Sequence, residues 1–176
     1  MFRWFRRLLL NRIYSNSIKS TTKFREQSAT KVLRSISVIL DDRLGIDKLH
    51  FKKLADVFNL PSKNVKVLTY YQSTKEIPEV NLNSSYTQQD ISNWGLLNGL
   101  LSDFCNKNSD VLINFYEQDD INLKYVSANI KTKFSIGFNS VDHTLNDLII
   151  DVNAKDIDVF QSECIKYLNI FFISKK

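Results

Sequence analysis

The sequence predicts one α/β domain of three layers with a mostly parallel, Rossmann-like sheet, preceded by a basic amphipathic helix. Short apolar, β-branched runs alternate with amphipathic stretches of about ten residues, as in crossover units that join parallel strands. The 176 residues are 43% hydrophobic and 24% charged, which suits a globular domain with a single buried core. The third observation is a strong concentration of positive charge at the amino end.

The charge of the chain is divided unevenly along its length. Residues 1–34 contain nine Lys and Arg and a single acid, so this segment has a net charge of +8. The remaining 15 basic and 18 acidic residues give residues 35–176 a net charge of −3. We therefore divide the chain into a basic N-terminal arm, 1–34, and an α/β domain, 35–176. Such an asymmetry indicates an anionic partner for the arm.

The arm begins MFRWFRRLLLNRIYSNSIKS, and its spacing predicts an amphipathic helix over residues 2–14. One apolar stripe would consist of Phe2, Phe5, Leu9 and Ile13, with Leu8 beside it. Arg3, Arg6 and Arg7 would lie on the opposite side. No apolar run approaches the roughly 20 residues of a membrane-spanning helix. The short LLL segment, interrupted by Asn11 and Arg12, also argues against a secretory signal.

Three interpretations of the arm remain open. It is an interfacial helix with its arginines at lipid phosphates, an RNA-binding arm with stacking aromatics, or a terminal helix that docks on its own domain. A mitochondrial-type presequence is a weaker fourth interpretation. The residues predicted to bind an anionic surface are Arg3, Trp4, Phe5, Arg6, Arg7, Arg12, Lys19, Lys23 and Arg25.

The rest of the chain alternates between predicted strands and helices. The strands are 35–40, 65–71, 110–116, 134–138 and 147–152, and the helices are 47–59, 95–107, 121–131 and 157–172. Residues 72–90 are polar, and a loop of that length either has a function or contains a short strand. About eight residues without a helix join the last two strands, which leaves room for a hairpin and one antiparallel edge strand.

Polar residues follow the predicted strands, at the edge of the sheet where α/β domains bind ligands. They are Asp41, Asp42 and Arg43; Tyr70, Tyr71 and Gln72; Glu117, Asp119 and Asp120; and Asn139, Asp142 and His143. Paired acids can hold Mg²⁺, but Asp and Asn also commonly end strands and cap helices. Asp41, Asp42 and a general base at His143 are the only candidate catalytic residues, and we predict no metal site.

Other motifs of enzymes and cofactor sites are missing from the sequence. The four glycines, at 45, 95, 99 and 137, form neither GxGxxG nor GxxxxGK[ST], so we expect no nucleotide or other cofactor. The two cysteines, Cys105 and Cys164, are 59 residues apart without a CxxC motif. We expect both to be buried thiols in a reducing compartment.

Several segments resemble an uncharacterised protein family of bacteria of the Bacteroidota group. They are SVILDD, FKKLADVFNLP, DVLINFY, LKYVSANIK, FSIGF, LNDLII and IKYL. The resemblance extends over nearly the whole chain and implies a bacterial protein, without an activity or a catalytic residue. The stretch from Asp110 to Phe138 is also similar to one unit of glycosyltransferases with two Rossmann-like domains. That similarity implies a small-molecule site at the strand ends, but this chain has no room for the second domain.

We therefore expect a non-enzymatic interaction module in the cytoplasm, peripherally attached through the arm to the inner face of the membrane. The crowding of aromatic and aliphatic residues in the arm favours lipid over RNA. Attachment to RNA or the ribosome is the first alternative, and a small-molecule enzyme with a glycosyltransferase-like half domain is the second. The body of the domain is expected to bind a protein partner.

Overall fold

Six parallel strands in the order β3-β2-β1-β4-β5-β6 form one sheet in the middle of the protein. The structure is a computed structural model that describes residues 2–26 and 32–172, with side chains for all of these except Phe2, Arg3 and Glu26. The strands are β1 (Ile36–Asp41), β2 (Val65–Tyr70), β3 (Ser85–Tyr86), β4 (Ser109–Phe115), β5 (Thr132–Phe138) and β6 (Leu148–Ile150).

Helices cover both faces of the sheet, so the predicted three-layer α/β class is confirmed. They are α1 (Phe2–Glu26), α2 (Leu49–Lys52), α3 (Leu54–Val57), α4 (Gly99–Cys105), α5 (Ile121–Asn129) and α6 (Ile157–Phe171). The predicted helix 47–59 is divided at Lys53 into α2 and α3. The predicted helix 2–14 continues much further, to residue 26.

Successive side chains of the buried strands point to opposite faces of the sheet and pack in two separate cores. Val38 and Leu40 of β1 join the core beneath α2, α3 and α6. Ile39, between them, joins the core beneath α1, α4 and α5. Every residue of β1 and of β4 is buried, which explains why these strands are almost continuously apolar in sequence.

The long polar segment 72–90 contains the short strand β3, as one of the two interpretations of that segment predicted. β3 pairs with β2 only through Thr69↔Ser85 and Tyr70↔Tyr86. Short 3₁₀ turns fill the rest of the segment, and two of them begin with capping boxes that satisfy their first N–H groups.

The prediction that the last strand could form an antiparallel hairpin is wrong, because β6 pairs with β5 in parallel. The connection between them includes a 3₁₀ turn, His143–Leu145. Leu145 of this turn is buried in the core beneath α1 and α5. Burial of Leu145 holds the connection over one face of the sheet. The chain therefore enters β6 running in the same direction as β5, and the two strands do not form a hairpin.

Candidate functional site

The inner face of α1 is fastened to the domain along most of its length. Leu10 is fully buried, and Tyr14 and Thr21 are nearly so. The Tyr14 hydroxyl donates to Asp142 over 2.8 Å, and the Thr21 hydroxyl donates to the carbonyl of Ala128 in α5 over 3.0 Å. The segment of α1 from Leu10 to Thr21 is therefore part of the folded domain.

Two arginines hold the ends of this docked segment. Arg6 donates to the side chain of Asn122 over 3.0 Å and to the carbonyl of Gln88 over 3.2 Å. Arg25 donates to the carbonyl of Leu145 over 3.1 Å and pairs with Asp147 at 3.2 Å. Burial lowers the pKa of both guanidinium groups, and neighbouring groups, Asp147 at Arg25 in particular, partly offset this. Arg6 and Arg25, both predicted to meet an anionic surface, instead bind the protein's own domain.

The opposite, outer face of α1 carries large apolar side chains that contact little of the protein. Trp4 is 69% exposed, Phe5 54% and Leu8 47%. Further along the same face, the basic residues Arg12, Lys19 and Lys23 are also exposed. With 3.6 residues per turn, these six side chains fall within about 100° of the helix circumference. We call this surface, defined by Trp4, Phe5, Leu8, Arg12, Lys19 and Lys23, the outer α1 face.

The outer α1 face differs from the apolar stripe that the sequence predicted. Phe5 points outward, Leu9 is half-buried, and Ile13 packs against the core beneath α1. The side chains of Phe2 and Arg3 lie outside the described part of the structure. Leu8, predicted to lie beside the stripe, belongs to the exposed patch. Arg7 is exposed and lines a shallow cavity together with Asp119 and Asp120.

At the carboxyl ends of the strands, the predicted polar residues are occupied with one another. Asp41 is completely buried, and Arg43 binds both of its carboxylate oxygens, at 2.7 and 2.8 Å for the shortest contacts. The Arg43 guanidinium also lies 3.4 Å from Asp120 and above the ring of Tyr70. Burial alone would lower the pKa of Arg43, but the hydrogen bond and charge of Asp41 outweigh it and raise the pKa.

This arginine fills the point where parallel α/β sheets usually bind ligands. In the observed strand order, the chain leaves β1 toward β2 and later crosses to β4 on the other side, so the crevice lies between the ends of β1 and β4. Arg43 follows β1 and Asp120 follows β4, and the ion pair between them spans that crevice.

The other candidate catalytic residues do not form a common site. The His143 ring bonds the carbonyl of Asn139, whereas Asp142 accepts from Tyr14 and Thr144. Asp42 is exposed overall, but partial burial of its carboxyl and the nearby charges of Asp41 and Glu76 raise its pKa, against a hydrogen bond from Tyr71 that lowers it. Among residues 2–26 and 32–172, no group of three or more acids, histidines or cysteines is arranged to hold a metal ion.

Comparison with known proteins gives one match. Residues 6–171 match the model of a family described as "Family of unknown function (DUF6913)", which agrees with the resemblance to an uncharacterised family. No curated protein and no solved structure matches the chain. Within the described residues, none of the helices has both the length and the apolar character required to cross a bilayer.

Proposed function

We propose, for a chain that belongs to this family of unknown function, a role as a non-enzymatic interaction module attached peripherally to an anionic membrane surface through the outer α1 face. The inner face of the cytoplasmic membrane is the surface that we propose. The observation that carries the proposal is the exposure of Trp4, Phe5 and Leu8 on the side of α1 that faces away from the domain.

The composition of the outer α1 face fits a lipid headgroup region. Aromatic and leucine side chains enter the boundary between headgroups and acyl chains, while lysines and arginines contact the phosphates. Each cation near an anionic leaflet contributes about 1 kcal/mol, so Arg12, Lys19 and Lys23 together supply about 3 kcal/mol. The helix has 25 residues and lies along the domain, which favours attachment parallel to the membrane plane.

Docking of the inner face supports this role because it fixes which side of α1 is presented. A helix held by Leu10, Tyr14 and Thr21 cannot rotate its buried face outward without exposing the core beneath it. The outer α1 face is therefore already ordered before any partner arrives, and binding does not have to offset the entropy of forming the helix.

The test is sedimentation with vesicles, using substitutions on the outer face alone. Deletion of α1 would uncover the core beneath Leu10, so two variants that keep it are preferable: Trp4→Ser/Phe5→Ser and Arg12→Glu/Lys19→Glu/Lys23→Glu. We expect the wild type to sediment with vesicles of phosphatidylglycerol and phosphatidylcholine, and both variants to lose about tenfold or more in partitioning. Lys131→Glu, an exposed lysine outside α1, is the matched control.

Salt and RNA distinguish the proposal from its main alternative. Lipid attachment through Trp4, Phe5 and Leu8 should keep a salt-resistant part, whereas binding to RNA phosphates should weaken steeply as salt rises. Binding to poly(U) without binding to anionic vesicles would contradict membrane attachment and favour the RNA role. Equal sedimentation of the wild type and both outer-face variants would contradict either role for this surface.

A further inference from the structure

The outer edge of β2 is covered along only half of its length. β3 pairs with Thr69 and Tyr70, and the part of the chain that the structure describes places no strand beside the first half of β2 on that side. A groove of about 490 Å³ follows this uncovered half. The groove is bounded by α4, by α2 and by the 3₁₀ segment Glu79–Ser84.

The main chain of Val67 faces into this groove. On a parallel strand, the N–H and C=O groups of alternate residues point to the same edge. The main-chain N–H of Tyr71 donates to the carbonyl of Tyr86 in β3. Val67, four residues earlier, therefore directs its main-chain groups to the same outer edge. The main-chain groups of Val65, also on this edge, are both occupied: its carbonyl accepts from the Lys52 side chain, and its N–H donates to the carbonyl of Ser62. Val67 thus offers one donor and one acceptor at the position that a longer β3 would occupy.

The groove combines positive charge with apolar walls. Lys52, Lys66 and Lys107 line it, and Asp103 is the single acid among its lining residues, which gives a net charge of +2. Leu100 and Phe104 of α4 provide the apolar part of the wall. Burial lowers the pKa of Lys66, and the neighbouring charge of Lys107 lowers it further.

The lysines lie on both faces of the sheet edge. Lys66 and Lys107 lie on the side of α4, because Lys66 alternates with Val65 and Val67, whose side chains enter the opposite core. Lys52 belongs to α2, on that opposite face. Because Lys52 is engaged with the carbonyl of Val65, a strand placed in the groove would direct its acidic side chains to the α4 side, toward Lys66 and Lys107.

We propose that this groove binds an extended, acidic segment of a partner protein, which adds to the sheet in line with β3 and pairs with Val67. Addition of a strand to an open sheet edge supplies main-chain hydrogen bonds, and the side-chain pockets supply specificity. Lysines on an edge also discourage pairing with a second copy of the same edge, so the same residues repel self-association and attract an acidic strand. This inference does not depend on membrane attachment, which involves another surface.

The first measurement is fluorescence polarisation of the full chain with a labelled octapeptide in which Glu and Val alternate. We expect binding that Lys66→Glu/Lys107→Glu weakens at least about tenfold. Lys155→Glu, an exposed lysine before α6 and away from the groove, should leave it unchanged. An octapeptide in which Lys and Val alternate should not bind. Far-UV circular dichroism checks that each variant remains folded.

The second measurement separates strand pairing from simple charge attraction. Two further versions of the acidic octapeptide carry N-methyl groups on alternate amides, on the odd positions in one and on the even positions in the other. Because only one set of amides can face β2, one version should lose at least about fivefold in affinity more than the other. Equal affinity of the two versions, no binding of the acidic octapeptide, or unchanged binding by Lys66→Glu/Lys107→Glu would overturn the proposal. Competition by poly(U) without any difference between the methylated peptides would also overturn it.

Discussion

A single residue, Arg43, occupies the crevice at the carboxyl ends of β1 and β4 and neutralises the buried acid there. Its guanidinium binds the buried Asp41 through two nitrogens and also reaches Asp120. The sequence placed these acids at one rim, because parallel strands end at the same edge. It gave no indication that an arginine two residues after Asp41 would turn back and neutralise it, since that depends on side-chain geometry in the folded crevice.

Removal of this arginine should destabilise the protein considerably. Arg43→Gln leaves the carboxylate of Asp41 buried without a cationic partner, and breaking one side of a buried ion pair costs about 3 kcal/mol or more. We expect that loss in the free energy of unfolding measured with urea at neutral pH. Adding Asp41→Asn should restore part of it, because the uncompensated charge is then gone. A change within about 0.5 kcal/mol, as expected for the exposed control Arg12→Gln, would contradict this account of the crevice.

At the scale of one element, α1 shows what a helical pattern can and cannot predict. Its existence and basic character follow from the sequence, but three consecutive leucines, 8 to 10, point in three directions around a helix. Only Leu10 is buried. The face that meets the domain is set by the surface of α5 and by Asp142, which lie more than a hundred residues away along the chain. No local pattern contains that information.

Two leucines on opposite faces of α1 provide a matched pair of variants. Leu10→Ala removes a fully buried side chain and leaves a cavity, so the free energy of unfolding should fall by about 2–5 kcal/mol. Leu8→Ala, at a side chain that is 47% exposed, should change it by no more than about 0.5 kcal/mol. Urea denaturation measures both. Similar losses for the two variants would mean that α1 is not docked through the face described here.

Docking of α1 should also depend on acid pH through Asp142. Burial alone would raise the pKa of the Asp142 carboxyl, but hydrogen bonds from Thr144 and Tyr14 lower it below its usual value. A carboxyl with a depressed pKa stabilises the fold above its unfolded pKa, about 3.9, and this contribution is lost as pH falls through the lower folded value.

The pH effect is measured by urea denaturation of the wild type and Asp142→Asn between about pH 5 and pH 3. We expect the wild type to lose more stability than the variant over this interval, so that the two curves converge toward acid. Tyr14→Phe, which keeps the ring and removes one donor, should fall between them. Parallel curves would show that the Asp142 carboxylate does not stabilise the docked helix.

For the whole molecule, the sequence predicts the layers well and the edges poorly. The central strands were predictable because burial on both faces leaves continuous apolar runs, as in β1 and β4. β3 has only two residues, too few for a periodic signal, and the parallel pairing of β6 depends on the buried turn around Leu145. The groove beside the first half of β2 is equally hard to predict, since Lys52, Lys66 and Lys107 come from three separate segments of the chain.

The two cysteines report on the two cores separately. Cys105 lies in the core beneath α1, α4 and α5, and Cys164 in the core beneath α2, α3 and α6. Both are free and buried, as the sequence predicted. Burial raises the pKa of Cys105 to about 12 and also raises that of Cys164, so neither should react as a thiolate in the native state.

The variants Cys164→Ser and Cys105→Ser each keep one thiol, Cys105 and Cys164 respectively. If both layers unfold together, the two remaining thiols should react with a thiol reagent at the same rate when the variants are equally stable, and only after global unfolding. Labelling is followed by mass spectrometry in low urea. Much faster labelling of Cys105, the thiol on the α1 side, would show that this layer opens by itself.

The contacts of α1 have a consequence for the order of events during biosynthesis. Its hydrogen-bond partners follow 82 to 128 residues later in the chain, so α1 leaves the ribosome long before the residues that hold it in place. Leu10→Ala should accordingly accelerate unfolding and leave the refolding rate almost unchanged in stopped-flow experiments; equal slowing of refolding would contradict late docking. Before α1 docks, both faces of the nascent helix are exposed. A bilayer close to the translating ribosome would therefore contact the helix before α5 and Asp142 have been synthesised.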